Sequence, residues 1–187
     1  KKPKTRKNLN YVITIACRMT STRLPGKIMK SVLNKPLLEL MVERVKDVKL
    51  ANQIVLATTT NDSDDCIVEL AGKLNVKYYR GDEHNVLSRI YETGLKHNAD
   101  VIIQLSSDCV LIDPEVIDSC VDIYQNSDAD FVSNGLIRSY PQGMDTEVLG
   151  LECLKKAIEL ANKTEHREHV TLFIYENPQM FKIIPVE

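Results

Sequence analysis

The stretch Tyr11-Val-Ile-Thr-Ile-Ala-Cys17 is apolar or β-branched without alternation. That pattern predicts a strand covered on both faces, as in a parallel sheet. Leu37, Leu38, Leu40, Met41, Val42, Val45 and Val48 then recur at helical spacing after Pro36, a residue suited to a helix start because its missing N–H costs nothing there. Further along, Gln53–Thr59 reads as a strand, a helix ends near Leu74, Val76–Gly81 is a third strand and Val86–Asn98 a helix. Asp100–Ser107 is a fourth strand with Val101, Ile102, Ile103 and Leu105 inside, and Asp113-Pro114-Glu115 caps the next helix.

Strand and helix thus alternate, which predicts an α/β domain of three layers with right-handed crossovers and a mostly parallel sheet. The acidic run Asn61-Asp62-Ser63-Asp64-Asp65 reads as a cap and first helical turn, since negative side chains suit the positive end of the helix dipole. It lacks the spaced ligands, central Gly and terminal Glu of a calcium loop. From Asp130 the character changes: Phe131–Asn134, a polar stretch through Tyr140-Pro-Gln-Gly-Met-Asp145, helices near Leu151–Asn162 and Arg167–Glu176, and a last strand Met180–Val186. Ligands of such sheets bind beyond the carboxyl ends of the strands, which singles out the loops after Cys17, after Ala57 and around Asp108.

Composition changes the picture in one respect. The net charge of the 187 residues is only −2, yet no acid precedes Glu39, while Lys1, Lys2, Lys4, Arg6, Lys7, Arg18, Arg23, Lys27, Lys30 and Lys35 all lie before it. Residues 1–10 read as a basic tail or linker, and residues 11–187 as one domain. One basic run without interleaved aromatics is a poor signal for nucleic acid, so no nucleic-acid partner is expected. No apolar run approaches the roughly 20 residues of a membrane span and no signal peptide opens the chain, so neither membrane association nor export is expected. The five cysteines form no C-x-x-C pair, and free thiols in a cytoplasmic protein are the expectation.

The loop after the first strand, Arg18-Met-Thr-Ser-Thr-Arg-Leu-Pro-Gly-Lys27, carries three cations, hydroxyls and a glycine. Backbone amides and fixed cations at a strand-to-helix turn are what a polyphosphate needs. It is not a Walker A loop, which would need Gly at Ser21 and Ser or Thr at Ile28, and no G-x-G dinucleotide fingerprint occurs.

In the pattern Ala16-x-Arg18-x-x-Ser21-x-Arg23-Leu24-Pro25-Gly26-Lys27 the chain resembles the cytidylyltransferases that activate acidic sugars, above all the branch of spore coat polysaccharide synthesis proteins. Five further blocks follow in that branch's order: Ala57–Thr60, Arg80-Gly81-Asp82 with Val86-Leu87-x-Arg89, Asp108–Pro114, Tyr140–Glu147 and Arg167–Thr171. The resemblance implies a nucleotide-diphosphosugar transferase fold of the GT-A, Rossmann-like type. It implies CMP transfer from CTP to a sugar hydroxyl, with nonulosonates among the acceptors, with Mg²⁺ as cofactor and a homodimer as assembly. Carried over by position, Arg18, Ser21, Arg23 and Lys27 grip the triphosphate, with Arg18, Lys27 and Asp108 as the catalytic set. Ala16, Thr58, Thr59, Thr60, Gln104 and Ser106 meet the nucleotide. Asp108, with Asp145 as a second ligand, holds the metal, and Arg89, Asp145, Glu147, Arg167 and His169 face the acidic sugar. For Arg89 a surface salt bridge is the competing reading.

Two features depart from the branch. Gln104-Leu-Ser-Ser107-Asp108-Cys-Val110 stands where Arg-x-Thr-Gly-Asp-Cys-Pro is usual, so Ser107 replaces a glycine that a positive φ would require. Relatives also continue beyond the last strand, so a missing C-terminal segment is expected. These features motivate a second reading, a catalytically weakened nucleotide- or sugar-binding domain of a larger protein. A glycosyltransferase of the same fold is a third, disfavoured because Ser106-Ser107-Asp108 supplies one carboxylate where that class uses two. His166 and His169, three apart and without the metalloprotease order, do not form a zinc helix.

Overall fold

A computed structural model describes residues 6–21 and 23–187. A seven-stranded sheet is built from β1 (Tyr11–Ala16), β4 (Gln53–Thr59), β5 (Lys77–Gly81), β6 (Val101–Ser106), β7 (Phe131–Ser133), β8 (Glu147–Gly150) and β9 (Ile183–Pro185). Its order is β5-β4-β1-β6-β8-β7-β9. The first four strands run parallel, β8 lies antiparallel between β6 and β7, and β9 returns parallel to β7. A small hairpin, β2 (Ser31–Val32) with β3 (Lys35–Pro36), projects beside it. Its turn residues Leu33 and Asn34 both have positive φ, 52° and 63°, the backbone that a two-residue hairpin turn matching strand twist requires.

The helices are α1 (Leu37–Val45), α2 (Asp65–Leu74), α3 (Val86–Lys96), α4 (Pro114–Gln125), α5 (Leu151–Leu160), α6 (Thr164–Glu168) and α7 (Leu172–Glu176). β1 explains the three layers. Tyr11, Ile13, Ile15 and Cys17 pack on one face with α1, α2 and α4, while Val12 joins Leu87 and Ile90 of α3 and Leu154 of α5 on the other. Both faces are therefore dry, which is why the strand reads as a continuous apolar run. The one polar member, Thr14, is satisfied by donating to Gln104 Oε1 at 2.6 Å.

The expected helix over Arg167–Glu176 is two helices. The chain leaves α6 at His169, which has extended φ and ψ, and the β-branched pair Val170-Thr171 precedes α7. The expected tail also divides: residues 1–5 lie outside the described residues, whereas Arg6 donates to Tyr124 O and Ala129 O and stacks 4.4 Å from the Tyr124 ring centroid. All five cysteines are free; burial pushes the Cys17, Cys120 and Cys153 thiols up to about 12, which keeps them protonated and unreactive. No helix among the described residues is long and apolar enough to cross a membrane.

Register fixes where the site opens. Ala16 aligns with Ala57 on one side and Ser106 on the other, so the loops after β1, β4 and β6 emerge at one level.

Candidate active site

The loop after β1 is closed on itself through Met19. Its carbonyl accepts from Ser21 N at 2.9 Å and Gly26 N at 2.8 Å, and Gly26 adopts φ +67°, a backbone that side chains rarely take. This turn sends Lys27 back toward β6. Lys27 Nζ lies 2.5 Å from Asp108 Oδ1, just beyond the end of that strand. Arg18 reaches across to Glu83, at 3.2 Å from its carbonyl and 3.7 Å from its carboxylate. Thr20 and Asn61 donate to the same carboxylate, so Glu83 ties the loop to the turn after β5.

Between these elements lies a cleft of about 310 Å³. Of the residues expected at the site, it brings together Ala16, Arg18, Ser21, Arg23, Lys27, Arg89, Ser106, Asp108 and His169, joined by Cys17, Val86, Ser107 and Glu168. A second recess adjoins it across the Lys27–Asp108 pair, shared by Ser21, Arg23 and Ser107. The loops after the first and last parallel strands thus meet as strand polarity predicts. A comparable hollow at the opposite sheet end, around Val45, Ala51 and Asn75, has Lys46 and Lys77 as its only charged lining among the described residues.

Arg89 is not a surface residue. It is 2% exposed, Nη1 donates to Asp82 O at 2.6 Å, Nε has no partner, and no carboxylate lies within ion-pair distance among the described residues. Burial lowers its pKa, as expected for an enclosed cation.

Other expected residues stand elsewhere. Thr58 and Thr59 are fully buried, and both hydroxyls donate to Asp64 Oδ2, at 2.9 and 2.6 Å. Thr60 is exposed and does not line the cleft. The Gln104 amide faces inward, bonded to Thr14 and the Leu105 carbonyl. Arg167 is exposed outside the cleft, and His166 is buried against Glu176 and Phe173, so it does not converge with His169. Glu147 accepts from Thr171 at 2.7 Å and Tyr175 at 2.8 Å; burial raises its pKa, the two hydroxyls lower it, and Asp145 raises it again.

Asp145 is exposed and outside the cleft lining. Its carboxylate is near enough, after burial, to help push the Cys109 thiol up to about 11, and Cys109 adjoins Asp108. Among the described residues no three His, Cys, Asp or Glu side chains gather closely enough to hold a cation unaided. Ser107 keeps ordinary negative φ, so the glycine of the resembled block is not required for backbone reasons.

Two residues escaped the sequence reading. Glu83 adjoins a recognised block without belonging to it. Asp64 lies within the acidic run read as a helix cap, and its carboxylate makes no capping bond.

The sequence model of a family described as Cytidylyltransferase matches residues 12–186. An uncharacterized protein of Methanocaldococcus jannaschii is 36% identical over 173 residues, 92% of this chain and 70% of its own length. The spore coat polysaccharide biosynthesis protein SpsF of Bacillus subtilis is 31% identical, covering 93% of this chain and 73% of its own. A solved cytidylyltransferase from Leptospira borgpetersenii superposes with a TM-score of 0.87 at 33% identity, over 95% of this chain and 76% of that one.

Proposed function

The chain belongs to the cytidylyltransferase family, and from that premise we propose that it transfers CMP from CTP to a hydroxyl of an acidic, 2-keto acid sugar, releasing pyrophosphate in an Mg²⁺-dependent reaction. The observation that carries the reading is the meeting of the cationic loop after β1 with Asp108 across one cleft, at the carboxyl ends of the parallel strands.

In such a transfer the acceptor oxygen attacks the α-phosphorus and the bond to the bridging oxygen of pyrophosphate breaks. The triphosphate carries a charge of about −4, so catalysis is mostly positioning and neutralisation. Arg18, Arg23 and Lys27 supply cations, and Ser21 a hydroxyl, along one wall. Asp108, a half-exposed hard oxygen donor, fits a magnesium ion, which takes one or two carboxylates and completes its shell with phosphate oxygens and water. When bound, the ion would supply charge neutralisation and alignment of the phosphates. Asp108 would be its main protein ligand, with Asp145 the candidate second. Lys27, freed from Asp108, would then turn to the phosphates.

His169 and buried Arg89 suit an anionic acceptor, since both line the same cleft as the cationic loop. The proposal extends to a cytoplasmic homodimer, the latter readable by sedimentation at twice the chain mass. The acceptor is tested by pyrophosphate release from CTP over a panel of acidic and neutral sugars. Release restricted to acidic 2-keto acids supports the reading; release with neutral acceptors only, or sugar binding without release, contradicts it.

A further inference from the structure

We propose that Asp64 is the positioning residue of the triphosphate loop: its carboxylate holds the Met19 amide against the end of β4, and Met19 in turn shapes the segment presenting Ser21 and Lys27. The inference rests on reading that loop as the CTP site.

Asp64 is fully buried, yet no cation lies within ion-pair distance among the described residues. A buried carboxylate is costly unless strong donors satisfy it. Here four do: Met19 N at 2.8 Å to Oδ1, and Thr58 Oγ1, Thr59 Oγ1 and Thr59 N at 2.9, 2.6 and 3.1 Å to Oδ2. The two oxygens divide the work, one taking the loop and the other the strand end. None of the four donors belongs to α2, the helix Asp64 precedes, so ordinary helix capping does not explain the arrangement. The outer side of the same turn is held independently by Arg80, which bonds Thr59 O, Asn61 O and Asp65. Asp64 is thereby fixed from behind, as a residue that fixes others must be.

Met19 transmits the constraint. Its N–H is spoken for by Asp64, while its carbonyl collects Ser21 N and Gly26 N. Ser21 and Lys27 line the cleft, whereas Asp64 does not. Its effect on the site therefore runs through Met19. Asparagine would keep the shape but offer one acceptor oxygen in place of two, so either the loop or the strand end would lose its partner.

The test uses Asp64→Asn with two readouts: amide hydrogen exchange across the loop and strands, and calorimetric titration with CTP and Mg²⁺. The expected result is exchange about tenfold faster at Ser21 and Gly26 with β1 and β6 unchanged, and CTP affinity weaker by about tenfold, the scale of one charge-assisted hydrogen bond. Loop exchange and affinity both within about twofold of the parent would overturn the proposal, as would equal acceleration in every strand, which marks a general fold stabiliser. Should that variant not fold, Thr58→Val withdraws one donor from the same carboxylate, and a loss of about threefold confined to the same amides is expected, with no change or uniform change overturning the idea. If the parent protein fails to bind CTP, the reading of the cleft falls, while the exchange data still decide what Asp64 does.

Discussion

Lys27 Nζ and Asp108 Oδ1 meet at 2.5 Å across the mouth of the cleft, joining the loop after β1 to the end of β6. Their side chains are 26% and 49% exposed, so water screens the attraction. Pairs of this kind contribute about 0–1 kcal/mol. A double-mutant cycle of Lys27→Met and Asp108→Asn, read by denaturant unfolding, is expected to give a coupling below about 1 kcal/mol. A coupling of several kcal/mol would mean that the pair holds the fold rather than waiting for ligands.

Gly26 has φ +67° and turns the chain toward Lys27. An added Cβ would lie 3.3 Å from Met19 Cε, the end of a flexible side chain that must give by a few tenths of an ångström, and an L residue in this backbone costs about 1–2 kcal/mol. Gly26→Ala should lower the melting temperature by about 2–4 °C per kcal/mol and raise the KM for CTP. Gly143, also at positive φ but with open space around its Cβ position and outside the cleft lining, is the control: its Ala variant should affect stability alone.

Two carboxylates, buried Asp64 and half-buried Glu147, give opposite pH dependences. Burial raises the Glu147 pKa more than Thr171 and Tyr175 lower it, so folding favours its protonated form. Its stabilising contribution is full below the ordinary glutamate value of about 4.3 and is lost as pH rises through the raised folded value. Glu147→Gln keeps an oxygen able to accept both hydroxyls, which converge on Oε1. Its stability relative to the parent should therefore climb as pH increases from about 4 toward neutrality, measured by unfolding at a series of pH values. For Asp64 burial acts upward, but the bonds from Thr59, Met19 and Thr58 together win and the pKa is lowered. Its contribution is present above the ordinary aspartate value of about 3.9 and is lost as pH falls through the folded one.

His169 lines the cleft and Arg167, two residues earlier, does not. Both are exposed, so either alanine variant should change stability by less than about 0.5 kcal/mol. His169→Ala is expected to raise the KM for the acidic acceptor without altering CTP affinity, and Arg167→Ala to alter neither. Steady-state kinetics with each substrate varied in turn distinguishes them.

The parallel strands were legible because burial on both faces writes them as continuous apolar runs, as in Tyr11–Ala16 and Val101–Ser106. The loop from Arg18 to Lys27 stood out because cations, hydroxyls and a glycine share one short stretch, and four of its residues, Arg18, Ser21, Arg23 and Lys27, line a single cleft. What escaped depends on where a side chain points. Asp64 sits in a run of acids that any helix start tolerates, and nothing local reveals that its neighbours' hydroxyls turn inward to meet it. For the same reason Thr58 and Thr59, placed in the nucleotide pocket by position in a motif, serve Asp64 instead. The break at His169 is a change of backbone at one residue, extended between α6 and α7, and helical periodicity on either side does not carry it.

Asp108 and the cationic loop, as proposed, carry out CMP transfer together. Its most direct measurement is pyrophosphate release from CTP and an acidic 2-keto sugar, with Mg²⁺ and with a chelator, by the parent and by Asp108→Ala. Release by the parent is expected only with Mg²⁺, with a fall of at least about a hundredfold in the variant, or about 2.7 kcal/mol of transition-state stabilisation. Undiminished release by the folded variant, or by the parent in chelator, would contradict the proposal.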